Sequence, residues 1–339
     1  MPAADPQDDH PLQEAEGEVK RYEFEIAGRN AGRRLDAYLA ARFPEYSRTF
    51  IQRLIGEDAI TVNDEPVKPA YTPSDGDRVV ALVPVRSGEE VPPEDIPLEI
   101  IYEDRWIVVV NKPADLVVHP SRGHQTGTLV NALVHHYQEL SQVGGPLRAG
   151  IVHRLDRDTT GVILIVRDER VHEEIALQFE RRETVKEYIA VCEGRIELDG
   201  DLIDAPIGKC RRDRLRMAIG GRNAKAARTV YEVVERPGPF SIVRCFPKSG
   251  RTHQIRVHLR HLGHPIVADA LYGHRDALYL SDLTGGEHPP TEEPLLERQA
   301  LHARRLTLRH PALERQMTFE APLPEDMERT IAALREHAG

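Results

Sequence analysis

A carboxylate flanked by arginines, Asp156, stands in the middle of "AGIVHRLDRDTTGVILIV" (149–166), between an apolar run ending at Val152 and another starting at Val162. Thr159, Thr160 and Gly161 supply the turn between them. A carboxylate in such a place is partly desolvated, which raises its pKa, and only a nearby cation or hydrogen-bond donors keep it ionised at neutral pH. Arg154 and Arg157 are close in sequence, and "SGRTHQIRVHLRHLGHPIVADALYG" (249–273) offers Arg251 and Arg256 from a distance. A structural ion pair and a catalytic carboxylate both fit the turn taken alone. The histidines of the second segment, His253, His258, His261 and His264, raise a metal-dependent hydrolase as a competing class. Their spacing is not H-E-x-x-H, no acid lies between Arg236 and Ala268, and the arginines there repel a cation, so no metal is expected. Neither G-x-G-x-x-G after a strand nor G-x-x-x-x-G-K-[ST] occurs, so phosphate-cradling nucleotide folds are not supported.

The formal net charge of −10 argues against a polyanionic partner only until its distribution is read. Residues 1–25 carry eight acids and two bases, and 1–24 reads as a disordered acidic tail. Residues 236–268 hold six bases and no acid, and 209–228 hold eight bases, Arg211 and Arg212 among them, against Asp213 alone. Two such segments on an acidic chain predict a localised anion-binding face; solvated surface stretches are the alternative. Cys192, Cys210 and Cys245 show no C-x-x-C pattern and read as packing residues. No apolar run approaches the roughly 20 residues that span a bilayer, and the N-terminus has neither the basic start nor the apolar core of a secretory signal, so a cytoplasmic protein away from membranes is expected.

The elements that must position these residues fall into two groups. Leu35, Tyr38, Leu39 and Phe43 recur at helical spacing up to Pro44, and Ser47 can cap a second helix that buries Phe50, Ile51, Leu54 and Ile55, ends at Gly56, and carries Arg48 and Arg53 on its other face. Ile60 and Val62, an Asn63-Asp64 turn, Val67 and a strand over Arg78–Val83 follow. Residues 32–84 resemble the S4 RNA-binding domain, within a module of 25–84. "PVRSGEEVPPEDIP" breaks the pattern, giving a linker over 85–97. From 98 to 330, short β-type runs (Ile107–Val110, Val162–Val166, Tyr188–Val191, Val230–Val234, Ser241–Cys245) are not regularly interleaved with the helices at Leu129–Leu140 and Val171–Phe179, and 281–297 reads as a polar loop. The fold class is therefore α+β: a small two-helix and hairpin module, then a domain on a mixed, mainly antiparallel sheet.

"HRLDRDTTG", "NKPADLVVHP" (111–120), "KEYIAV" (186–191), the 249–273 segment and "ALHARRLTLRHP" (300–311) together resemble the ordered motifs of the RluA-type RNA pseudouridine synthases. The S4-like module stands in front of them as it does in members acting on large-subunit ribosomal RNA. Asp115 holds a place often taken by glycine and Thr160 one often taken by serine. The resemblance implies isomerisation of uridine to pseudouridine in RNA without cofactor or metal; a monomer is expected. It makes Asp156 catalytic, Arg256 its basic partner, and Arg251 a neighbour for phosphate. It makes Arg154 the side chain that fills the gap left by a flipped base and Tyr188 the ring that stacks on the uracil, although strand propensity alone reads Tyr188 as a half-buried core residue. Lys186, Arg211 and Arg212 are expected at phosphates, with Arg48 and Arg53 on RNA from the first module. A non-catalytic RNA-binding or assembly factor, and a synthase acting on transfer RNA, are the remaining readings; a pure binder has no need of a carboxylate among arginines in an RNA groove.

Overall fold

The computed structural model describes residues 19–26, 32–43, 46, 48–84, 91–120, 125–137, 139–141, 143, 146–213, 215–286 and 289–338. The chain divides into two compact units, one of Met1–Glu90 with Gly144–Leu147 and the other of Val91–Val143 with Arg148–Gly339.

The first unit contains β1 (Val19–Glu25), α1 (Leu35–Arg42), α2 (Arg48–Gly56), β2 (Ile60–Val62), β3 (Glu65–Pro66) and β4 (Arg78–Pro84). Its antiparallel sheet runs β1-β4-β2-β3. The apolar stripes of both helices, Leu35, Leu39, Ile51, Leu54 and Ile55, share one core with Val79, Ala81 and Val83 of β4, which is what their helical and two-residue periods require. Asn63 and Asp64 both take positive φ in the β2–β3 turn, which suits these residue types.

The expected tail of 1–24 reaches too far. Val19–Glu25 pairs with β4 along its whole length, and Tyr22 packs on Phe43 with ring centroids 4.9 Å apart. Alternation of aromatic and charged residues is the pattern of a half-buried strand, and the local charge concealed it. Residues 1–18, Pro44 and Ser47 lie outside the described residues. So do 85–90 of the expected linker, while 91–97 forms neither helix nor strand.

The second unit contains β5 (Glu99–Glu103), β6 (Ile107–Lys112), α3 (Leu129–His136), β7 (Thr160–Val166), α4 (Glu169–Arg181), β8 (Val185–Glu193), β9 (Gly200–Asp204), β10 (Ile207–Lys209), β11 (Met217–Ile219) and β12 (Arg222–Lys225). It continues with β13 (Arg228–Glu235), β14 (Phe240–Pro247), α5 (Gln254–His261), α6 (Leu280–Thr284), β15 (Leu301–His310), β16 (Arg315–Glu320) and α7 (Glu325–His337). The main sheet runs β5-β6-β7-β15-β8-β14-β13-β9, with β16 also paired to β15. β7 and β15 are parallel and the other pairs antiparallel. A mixed, mainly antiparallel sheet is the expected class.

β7 is buried along its whole length. Val162, Leu164 and Val166 enter one core and Ile163 and Ile165 another, so covered faces on both sides explain its unbroken apolar run. At its start Gly161 has φ 109°, and a Cβ there would lie 2.2 Å from the Ala303 carbonyl oxygen of β15. Only glycine lets the two strands approach this closely.

Three expected boundaries move. The Leu129–Leu140 helix stops at His136, where Tyr137 turns extended. The 281–297 loop gives up its first residues to α6. The domain does not end at 330, because α7 continues and buries Ile331 and Leu334 in the core built on β8 and β14. Asp115, in the place often held by glycine, has φ 57°.

Candidate active site

Asp156 lies in the loop four residues ahead of β7, and Arg256 lies in the first turn of α5, 100 positions later. Arg256 Nη1 donates to Asp156 Oδ2 at 3.1 Å. The arginine side chain is 6% exposed and the aspartate 18%, so the cation is embedded and the carboxylate keeps an open edge. Arg256 is locked from behind: its Nε and Nη2 each donate to Asp269 at 2.7 Å. Asp269 is fully buried and also accepts the backbone N–H groups of Leu271 and Tyr272, both at 3.0 Å. The guanidinium sits over the Tyr272 ring, 5.1 Å from its centroid. Burial disfavours the charge on Arg256, but the hydrogen bonds and charges of Asp269 and Asp156 outweigh it and raise its pKa.

The backbone after Asp156 is held by two further cations. Buried Lys112 donates from Nζ to the carbonyls of Pro113 at 2.7 Å, Leu116 at 2.9 Å and Arg157 at 2.6 Å. Burial pushes its pKa down to about 7, and the three carbonyl dipoles work in the opposite sense, towards the ammonium. Arg298 donates from Nη1 to the Asp158 carbonyl at 3.1 Å while its Nε and Nη2 engage Asp326 of α7 at 2.7 and 2.8 Å. Gln299 Nε2 adds a bond to Thr159 Oγ1 at 3.3 Å.

The remaining charged residues of the turn have local partners. His153 accepts the Leu164 N–H at Nε2 (2.9 Å) and stacks on Phe179; burial, with the charge of Lys186, lowers its pKa to about 3, so it is neutral. Arg157 pairs with Asp158 at 3.0 Å.

A cavity of about 710 Å³ opens on the carboxylate, lined among others by Arg154, Lys186, Tyr188, Arg251 and Arg256. Arg154 is exposed there. Tyr188 comes from β8; burial and the charge of Asp156 push its phenol up, and its hydroxyl makes no hydrogen bond among the described residues. Arg251 donates from Nε to the Ala226 carbonyl at 3.3 Å. Lys186 faces the cavity rather than open surface: burial, then the charge of Arg182, lowers its pKa to about 8, and Nζ lies 3.5 Å from the Ser249 carbonyl.

The other sequence-predicted residues stand outside this cavity. Arg211 and Arg212 are exposed in the loop between β10 and β11, with no ion pair among the described residues. In the first unit, Arg48 is tied to buried Asp36 at 2.9 Å, beside Arg34 at 2.9 Å and Gln52 at 2.6 Å, and Arg53 lies 3.7 Å from Glu57. The histidines do not converge: His253 faces Tyr272, His258 faces Thr229 and the Ala205 carbonyl, and His264 faces the Glu193 carbonyl. Sequence reasoning missed Asp269, Lys112 and Arg298. The available signal for Asp269 was an acid closing the apolar run "PIVA" directly after the acid-free segment. Among the described residues no helix is long and apolar enough to cross a membrane.

Residues 106–261 match the family model described as RNA pseudouridylate synthase, and residues 33–79 match the S4 domain. The chain is 40% identical over 304 residues to an uncharacterized RNA pseudouridine synthase of Bacillus subtilis (strain 168), covering 90% of this chain and 95% of that protein. It is 41% identical over 312 residues to ribosomal large subunit pseudouridine synthase D of Neisseria meningitidis serogroup B, covering 91% of this chain and 80% of the relative. Of solved structures, human RNA pseudouridylate synthase domain containing 4 superposes with a TM-score of 0.52 at 27% identity, over 70% of this chain and 93% of that one. Identity at this level over both units, with an S4 domain ahead of a synthase domain, identifies the chain as a member of the RNA pseudouridine synthase family, an isomerase acting on RNA.

Proposed function

We propose that this protein converts uridines of large-subunit ribosomal RNA to pseudouridine, with Asp156 as its catalytic residue. The observation that carries the reading is the ion pair of Asp156 with Arg256 at the wall of a cavity that also holds Tyr188. The reaction breaks the N1 glycosidic bond, turns the base and rejoins it through C5, with the C5 proton lost and N1 gaining one. A carboxylate must be anionic to act in it, whether it adds to the substrate or removes the C5 proton, and Arg256, itself fixed by Asp269, places a cation 3.1 Å from it.

A uridine in folded RNA must leave its stack, at a cost of a few kcal/mol. Arg154, exposed at the cavity, fills the gap it leaves, and the Tyr188 ring stacks on the uracil. Arg251 and Lys186 meet phosphates at the cavity, Arg211 and Arg212 meet others in the second unit, and Arg48 and Arg53 meet RNA from the first unit. The ribosomal substrate is supported by relatives named for the large subunit and by the S4 domain, and it puts the protein's work in the cytoplasm.

Pseudouridine mapping of total RNA from cells lacking the protein tests this reading. Loss of sites in large-subunit ribosomal RNA is expected. Loss confined to transfer RNA reassigns the substrate, and no loss anywhere leaves a binding or assembly factor.

A further inference from the structure

The motif "ADALYG" ends near Tyr272, a buried residue that the reaction above does not use. Its hydroxyl accepts the Met217 backbone N–H at 2.7 Å and lies 2.8 Å from His253 Nδ1. If Nδ1 carried a proton, two donors would converge on one phenol oxygen, and the buried phenol proton would have no acceptor among the described residues, which is costly. The satisfied arrangement has Tyr272 donating to Nδ1, leaving the proton of the neutral imidazole on Nε2. Burial lowers the pKa of His253, in keeping with a neutral ring.

The backbone of His253 is left-handed, with φ 56°, immediately ahead of α5. The residue lines the cavity, and Nε2 makes no hydrogen bond among the described residues. A fixed N–H donor thus lines a cavity in which six arginine and lysine side chains, Arg154, Lys186 and Arg251 among them, face only the two acids Asp156 and Glu180, surroundings that on balance favour an anion. We infer that His253 binds a phosphate oxygen of the RNA substrate through Nε2–H, in a tautomer set by Tyr272. The same Tyr272 hydroxyl holds the backbone of β11, so the hairpin carrying Arg211 and Arg212 is tied to the residue that grips the phosphate.

The inference rests on the reading that RNA occupies this cavity, and the test separates the two. Binding constants are measured for the unaltered protein and for H253A and H253Q. The ligands are a large-subunit ribosomal RNA fragment and the same fragment with one neutral methylphosphonate beside the converted uridine. H253A is expected to weaken binding about tenfold, the methylphosphonate to weaken the unaltered protein similarly, and the two losses not to add. H253Q, which keeps an N–H donor, recovers most of the loss. Additive losses at every flanking phosphate, or no loss in H253A, overturn the assignment. Nitrogen-15 NMR of the histidine-labelled unaltered protein checks the tautomer without any substitution: Nδ1 unprotonated and Nε2 protonated are expected, with a mixture in Y272F, and a proton on Nδ1 overturns it. Pseudouridine formation on the same fragment reports separately on the reaction.

Discussion

Asp269 holds Arg256 through two hydrogen bonds of 2.7 Å from full burial, whereas Asp156 holds it through one of 3.1 Å from a partly open edge. The two aspartates on one guanidinium therefore differ in kind: one fixes the cation from within the core, and the other keeps an edge open to the cavity.

Asp156→Asn should abolish pseudouridine formation while RNA affinity stays within about threefold, because it leaves the Arg256–Asp269 pair intact and alters one contact in an arginine-rich cavity. Single-turnover assays and binding measured side by side check this, and full activity in the variant would end the catalytic assignment.

Asp269→Asn touches no substrate in this reading, yet it should cost stability as well as activity. Removing a buried charge partner costs roughly 3–5 kcal/mol when the other charge is left unpaired, reduced here by the remaining bond to Asp156. Denaturant unfolding should show a larger loss for Asp269→Asn than for Asp156→Asn; the reverse order would contradict that difference.

Gly161→Ala places a methyl against the Ala303 carbonyl, and backbone on both sides leaves nothing flexible to move. A loss of about 1–3 kcal/mol or more is expected, with activity falling as the parallel β7–β15 contact is pushed apart. Urea unfolding midpoints measure it.

Acid should destabilise the second unit ahead of ordinary carboxylate protonation. Burial lowers the pKa of His302 and of His119 to about 4, and of His153 to about 3, with neighbouring cations adding to the effect. The folded protein keeps these rings neutral while the unfolded chain takes up protons below about pH 6.5, so stability falls as pH drops from about 6.5 towards 4. For His302, fully buried between Thr160 Oγ1 and the Ala321 carbonyl, the loss is of the order of 3 kcal/mol at pH 4. His302→Gln should flatten the slope of stability against pH over that range.

The salt dependence of RNA binding should rank the arginines by their partners. Arg211→Ala with Arg212→Ala removes two exposed charges without ion pairs among the described residues and should lower the salt slope by about 1.5. Arg48→Ala should lower it by less than each of those two charges does, because Arg48 shares the buried carboxylate of Asp36 with Arg34 and is compensated only in part. Affinity titrations across salt concentrations separate the two cases.

Much of this organisation was legible before any coordinates. Local period is enough to find α1, α2 and β7, because burial of a stripe or of two faces writes itself into consecutive residues. Charge misled the same reading at β1, where Tyr22 and Phe24 alternate within an acidic stretch, and apolar length overran at α3.

By itself the sequence determined the fold class, the S4-like module, and Asp156 and Arg256 as the residues of interest, since motif order and residue type survive without geometry. Only the tertiary structure decided which charges meet. Asp269, one residue beyond the acid-free segment, turned out to fix Arg256, and Lys112 and Arg298 to hold the carbonyls behind Asp156. It also seated His253 against Tyr272 and the hairpin. Those contacts join groups separated by 13 to 140 positions, and hydrogen bonds over such distances have no period in the chain: their strength comes from burial and alignment that exist only once the sheet has brought its loops together.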